Sequence, residues 1–165
     1  MMALVAPILA PTLAIVALAC LIAAAIADVR SYEIPDGLSI TLLVTAVGFG
    51  AATPGFAWIS HLAAVLLMFG IGLFVFARGW MGGGDVKLLV AIAGWTGLAG
   101  LVGQLTAVAL AGGVLALVLI IARRAFAARS PESLPELFRT GAPLPYAIAI
   151  AAGTGWWAYT AGPVI

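Results

Sequence analysis

Charge is what this chain has least of. Only 8% of its 165 residues are Asp, Glu, Lys or Arg, whereas 65% are apolar. A soluble domain carries roughly 25% charged residues, so too few polar groups are present to cover a water-facing surface. The net charge is +1, and no basic patch is available to neutralise phosphates, so nucleic acid is not expected as a partner. One cysteine, Cys20, sits in an apolar run. It excludes an internal disulfide and a CxxC zinc site. No cluster of His, Cys, Asp and Glu has metal-ligand spacing, so neither a metal nor another cofactor is expected. The N-terminal stretch "MMALVAPILAP" lacks the basic region that opens a signal peptide, and residues 4–27 read as a retained first helix.

In place of charge the chain has long apolar runs. They cover residues 4–27, 38–52, 59–77, 86–98, 101–122 and 143–161. A spanning helix needs about 20 apolar residues, so the second and fourth runs are short and borrow flanking residues. The expected fold is all-α: one membrane-embedded domain over residues 1–165 with about six transmembrane helices. Six spans put the segments near 28–37, 78–87 and 123–142 on one side. All the basic residues lie there: Arg30, Arg78, Lys87, Arg123, Arg124, Arg129 and Arg139. The positive-inside rule makes that side cytoplasmic and both termini external. Trp58, Trp156, Trp157 and Tyr159 then fall near the outer interface, and Tyr32 and Trp80 near the inner one. "SPESLPELFRTG", residues 130–141, reads as an amphipathic helix on the inner surface or as a solvated linker. Gly94, Gly97, Gly100 and Gly103 suit close helix contacts.

Two short stretches carry charge at the edge of apolar runs. "ADVRSYEIPDGLS", residues 27–39, places Asp28 directly after 24 apolar residues; "GWMGGGDVKLL", residues 79–89, places Asp85 directly before an apolar run. A carboxylate at that depth is costly unless paired or neutralised. In a structural reading the two aspartates end helices or pair with Arg30 and Lys87. In a functional reading they face each other, one charged and one protonated, to activate water and protonate a leaving amine. Asp28 lies near the end of its helix, where the dipole opposes negative charge, and Asp85 near the start of the next, where it favours it. The proton is therefore expected on Asp28. His61 falls near the opposite face, which excludes a Ser-His-Asp arrangement. Gly82, Gly83 and Gly84 offer backbone against which an extended peptide can lie. Glu33 and Asp36 add negative charge that attracts a basic peptide.

"GGGD", residues 82–85, resembles the GxGD signature of membrane aspartic proteases. "DVRSYEIPD", residues 28–36, resembles the first-aspartate motif of type IV prepilin peptidases, D-x-R-x-x-x-I-P-N/D. Lys87 matches the lysine of GxGDxK, and "PLPYAIAIAAG", residues 143–153, resembles the closing helix of the small tight-adherence (Flp) pilus subgroup. The resemblance implies a bacterial inner-membrane enzyme that cuts the short basic leader from prepilins or pseudopilins at the cytoplasmic face, in company with the pilus assembly or secretion machinery. It implies catalytic roles for Asp28 and Asp85, with Arg30, Ile34, Pro35, Asp36, Gly82, Gly83, Gly84 and Lys87 as motif residues. Larger members also methylate the new N-terminus, through an additional domain with paired CxxC motifs, so methylation is not expected here. Two other readings are open: a presenilin-like or signal-peptide-peptidase-like intramembrane protease, and a small proton-coupled transporter or assembly subunit.

Overall fold

The computed structural model describes residues 2–126, 135–139 and 141–161. Among them the regular structure is entirely helical: α1 (Met2–Ser31), α2 (Asp36–Ala52), α3 (Trp58–Ala77), α4 (Gly83–Phe126), a short 3-10 turn (Glu136–Phe138) and α5 (Tyr146–Thr160). Three stretches are long and apolar enough to cross a membrane: Ile8–Ser31, Trp58–Ala77 and Gly83–Phe126; Asp36–Ala52 is a shorter apolar helix. The helices are apolar on nearly every face. Large side chains such as Ile15, Ile59, Leu66, Val102 and Leu110 stand exposed, as expected where lipid replaces water. In lipid a backbone must satisfy its own polar groups, which favours helices.

Six separate helices were expected. Among the described residues the fourth and fifth apolar runs meet without a loop, as two helical arms of α4 joined at Gly97. The 44 residues of α4 would extend about 66 Å if straight, twice the roughly 30 Å hydrocarbon core. It is not straight. Gly97 has φ 59° and ψ −179°, outside the helical region and open to glycine. Before the break, Gly94 packs on Leu43 and Val65; after it, Gly100 and Gly103 pack on Trp157, Gly153 lies against Val108, and Gly112 lies against Tyr146. The second arm therefore runs antiparallel to α5, back toward the end from which the first arm started.

Breaking a helix frees the N–H of one residue and the carbonyl four residues before it. Two side chains of α3 take their places. Ser60 Oγ accepts from the N–H of Leu98 at 3.0 Å. His61 Nδ1 lies 2.9 Å from the Gly94 carbonyl, an acceptor, so Nδ1 carries the proton and donates. The His61 ring also stacks on Phe56, with centroids 4.0 Å apart. His61 is thus a structural residue of the turn. Further polar ties hold the bundle: Trp95 Nε1 donates to the Leu42 carbonyl, and buried Gln104 donates to Thr154 Oγ1, both at 2.9 Å.

Of the stretch 130–141, Ser130, Pro131 and Leu134 lie outside the described residues. The described part holds the 3-10 turn rather than a longer amphipathic helix. Arg123 anchors it, donating from Nε to the Leu137 carbonyl and from Nη2 to the Pro143 carbonyl, both at 3.1 Å.

Replacing His61 with Phe should keep the ring packing and leave the Gly94 carbonyl without its donor. The unfolding free energy in detergent should fall by about 1–3 kcal/mol, and Ser60→Ala should act in the same direction at Leu98. Equilibrium unfolding followed by circular dichroism measures both.

Candidate active site

The site forms where α1 ends and α2, α4 and α5 begin. α1 stops because Tyr32 turns into the left-handed region, at φ 53°. Pro35 then precedes the first turn of α2, where Asp36 sits well with the helix dipole. Across from it, Gly79 at φ 67° ends the turn after α3, and α4 opens at Gly83.

The two motifs interlock. A Cβ at Gly84 would lie 3.0 Å from Ile34 Cβ, so the absent side chain lets Ile34 rest on the α4 backbone. A Cβ at Gly83 would approach the Phe76 ring to 3.3 Å, and one at Gly82 would lie 3.2 Å from Asp85 Oδ2. Lys87 Nζ pairs with Asp36 Oδ1 at 2.7 Å. Both side chains are more than half exposed, so the pair adds little stability; it ties the far end of one motif to the far end of the other. The structural alternative of Lys87 with Asp85 and Arg30 with Asp28 is not what the chain adopts. Arg30 makes no ion pair among the described residues, and its side chain lies exposed beside Ile26 and Val29 on a groove between α1 and α5. Pro35 is exposed at the turn.

Gly83 and Gly84 belong to the first turn of α4. Of the three glycines expected to lie against an extended peptide, only Gly82 therefore stands outside the helix.

Asp28 is buried. Its Oδ2 accepts a hydrogen bond of 2.9 Å from the N–H of Ala147, the second residue of α5. Pro145, which precedes that helix, provides no side-chain cap, so Asp28 fills the capping position from another helix. Asp85 is in a different situation. Its Oδ1 is buried and has no hydrogen-bond partner. The charge of Asp28 reaches Asp85, and that of Asp85 reaches Tyr146, so α1, α4 and α5 contribute to one electrostatic neighbourhood. Tyr32 belongs to it as well. Burial raises its phenol above the ordinary value; the charges of Glu136 and Asp28 push the same way, and Arg123 opposes them. The phenol oxygen is buried and unpartnered.

The sequence reading missed Tyr32, Arg123, Tyr146 and the Ala147 N–H as members of this cluster. Tyr32 lay within the quoted motif, in one of its variable positions. "PLPY" opens the closing helix, with Pro145 just before it, but nothing in the sequence said which carboxylate would cap it. Among the described residues, no group of three or more His, Cys, Asp or Glu side chains is gathered that could hold a metal ion.

No curated protein and no solved structure matches the chain. The type IV leader peptidase family does, over residues 15–121. That stretch holds Asp28, Asp85 and the interlocking contacts between them, and it is more than half of the sequence. The chain belongs to the type IV leader peptidase family.

Proposed function

We infer that this chain is a membrane aspartic endopeptidase that removes the leader peptide from Flp-type prepilins or pseudopilins, with Asp28 and Asp85 as its catalytic pair. The observation that carries the reading is the convergence of two carboxyl groups, one from the end of α1 and one from the start of α4, on a shared electrostatic neighbourhood within a family of leader peptidases. Counting the two arms of α4 separately gives six crossings of alternating direction. The charged end of the bundle then faces the cytoplasm, in keeping with its basic residues, and both ends of the described chain face outward across the bacterial inner membrane. A prepilin presents its leader at that inner face, next to its own apolar segment. Asp36 is paired with Lys87, which leaves Glu33 as the exposed, unpaired carboxylate of this turn for a basic leader.

The hydrogen bonds favour a proton arrangement opposite to the one expected from the dipoles of α1 and α4. The Ala147 N–H and the positive end of α5 stabilise negative charge on Asp28. Asp85 Oδ1, lacking a donor, suits the protonated partner. Asp28 then takes a proton from water as the water oxygen attacks the scissile carbonyl carbon. The Asp85 proton passes to the carbonyl oxygen, giving a neutral gem-diol. As that intermediate collapses, its C–N bond breaks, the Asp28 proton moves to the leaving amine, and a gem-diol proton returns to Asp85. Both carboxyls are thereby restored.

Acid–base help of this kind is typically worth about 10² to 10⁴ in rate, and paired groups lose it together. Asp28→Asn, Asp85→Asn and the double variant should all fall to about 1% of normal cleavage or below. Co-expression with candidate prepilins, followed by mass measurement of their N-termini, tests this. Near-normal processing by either well-folded Asn variant would refute the mechanism. The motif interlock adds a second expectation. Gly84→Ala should push Ile34 away and cut activity, and adding Ile34→Ala should restore part of it. Equal loss in the single and double variants would mean that Gly84 does not act through that contact.

A further inference from the structure

The α1–α2 turn carries a residue that no step above uses. Tyr32 is the one non-glycine residue at positive φ among the described residues. A bulky side chain in that region is uncommon and strained, and such strain persists where the surroundings enforce it. Here it turns the phenol inward. The oxygen is buried without a hydrogen-bond partner, although a buried hydroxyl left unpaired is costly. It lies within electrostatic reach of Asp28, Glu136 and Arg123. Of these, Arg123 already gives Nε and Nη2 to the Leu137 and Pro143 carbonyls, and Asp28 Oδ2 already accepts from Ala147. With its proton held on by burial, the phenol can serve as a donor.

We propose that Tyr32 is a third catalytic group, whose O–H donates a hydrogen bond to the scissile carbonyl oxygen of the bound leader peptide. This rests on the Asp28–Asp85 reading and deepens it. No proton leaves the tyrosine. The hydrogen bond strengthens as negative charge gathers on the carbonyl oxygen, before the Asp85 proton arrives, so it acts more on the transition state than on the bound ground state. The unpartnered Tyr32 oxygen, within electrostatic reach of Asp28, is then a donor kept free for substrate.

The other chemistry in reach is a purely structural one, in which the Tyr32 ring packs the turn and its hydroxyl is idle. Tyr32→Phe separates the two, because it keeps the ring. With purified full-length chain and a prepilin that the unaltered chain processes, kcat should fall about 10- to 100-fold, a change matching one charge-assisted donor. KM should stay within about threefold if the donor acts mainly on the transition state, and the unfolding midpoint should not move. Unchanged kcat would overturn the proposal. A second measurement stands even if the Phe variant folds poorly. Site-specific 2,3-difluorotyrosine at position 32 keeps the shape and the hydroxyl but gives up its proton at lower pH. The ratio of its kcat to that of the unaltered chain should fall as pH rises, because only the fluorinated phenol loses its proton over that range; a ratio that does not change with pH would overturn the proposal. Failure here would leave the Asn variants of Asp28 and Asp85 inactive, whereas failure of the aspartic mechanism would leave them active.

Discussion

The hydrogen bond from the Ala147 N–H to Asp28 connects the end of the first helix to the start of the last. Asp28 follows a long apolar run and is buried, so its carboxyl needs a donor. α5 begins after a proline and has unsatisfied N–H groups in its first turn. Each need answers the other. The contact fixes where α5 begins relative to α1, and Arg123 reinforces it by holding the Pro143 carbonyl just before that helix. With α1 and α5 joined at this end, the first turn of α4 brings Asp85 into the same neighbourhood. The interlock of Ile34 with Gly84, and of Asp36 with Lys87, holds the turn after α1 against the turn before α4.

The opposite end of the bundle solves a different problem with other residues. A 44-residue apolar stretch must reverse in order to bring its far end back to the charged face. Gly97 allows the reversal, and Ser60 and His61 replace the hydrogen bond that it breaks. Phe49, Phe56, Trp58 and Trp95 pack around this turn in a series of ring contacts. Ser60 and His61 serve backbone already inside the protein, while Thr96 Oγ1 beside the turn is buried without a partner. At the charged end, Asp85 Oδ1 and the Tyr32 hydroxyl are likewise unpartnered.

Much of this was legible in the sequence, and the reasons differ by feature. Apolar runs gave the helical class, and the positions of Asp28 and Asp85 at the edges of two runs gave the expectation that they meet, because burial and charge placement are properties of composition along the chain. The glycines at 94, 97, 100 and 103 were readable as close-contact positions. That the two arms meet at Gly97 with no loop between them was not, because it depends on the hydrogen-bond partners that α3 supplies. The partner of Lys87 was missed for a similar reason: Asp85 is two residues away in sequence, while Asp36 is near only after folding. The proposed proton placement differs from the expected one because helix dipoles were judged from the helices that carry the aspartates. The donor to Asp28 comes from α5, more than a hundred residues beyond it.

The central claim is that Asp28 and Asp85 occupy one site in the folded chain, and it can be measured without substrate. Asp28→Cys and Asp85→Cys would be combined in a Cys20→Ser background and treated with a short bifunctional thiol reagent. Mass spectrometry of the digested protein should then find peptides containing positions 28 and 85 joined to each other. If both thiols react singly with a monofunctional reagent but are never linked, the two carboxyls do not share a site.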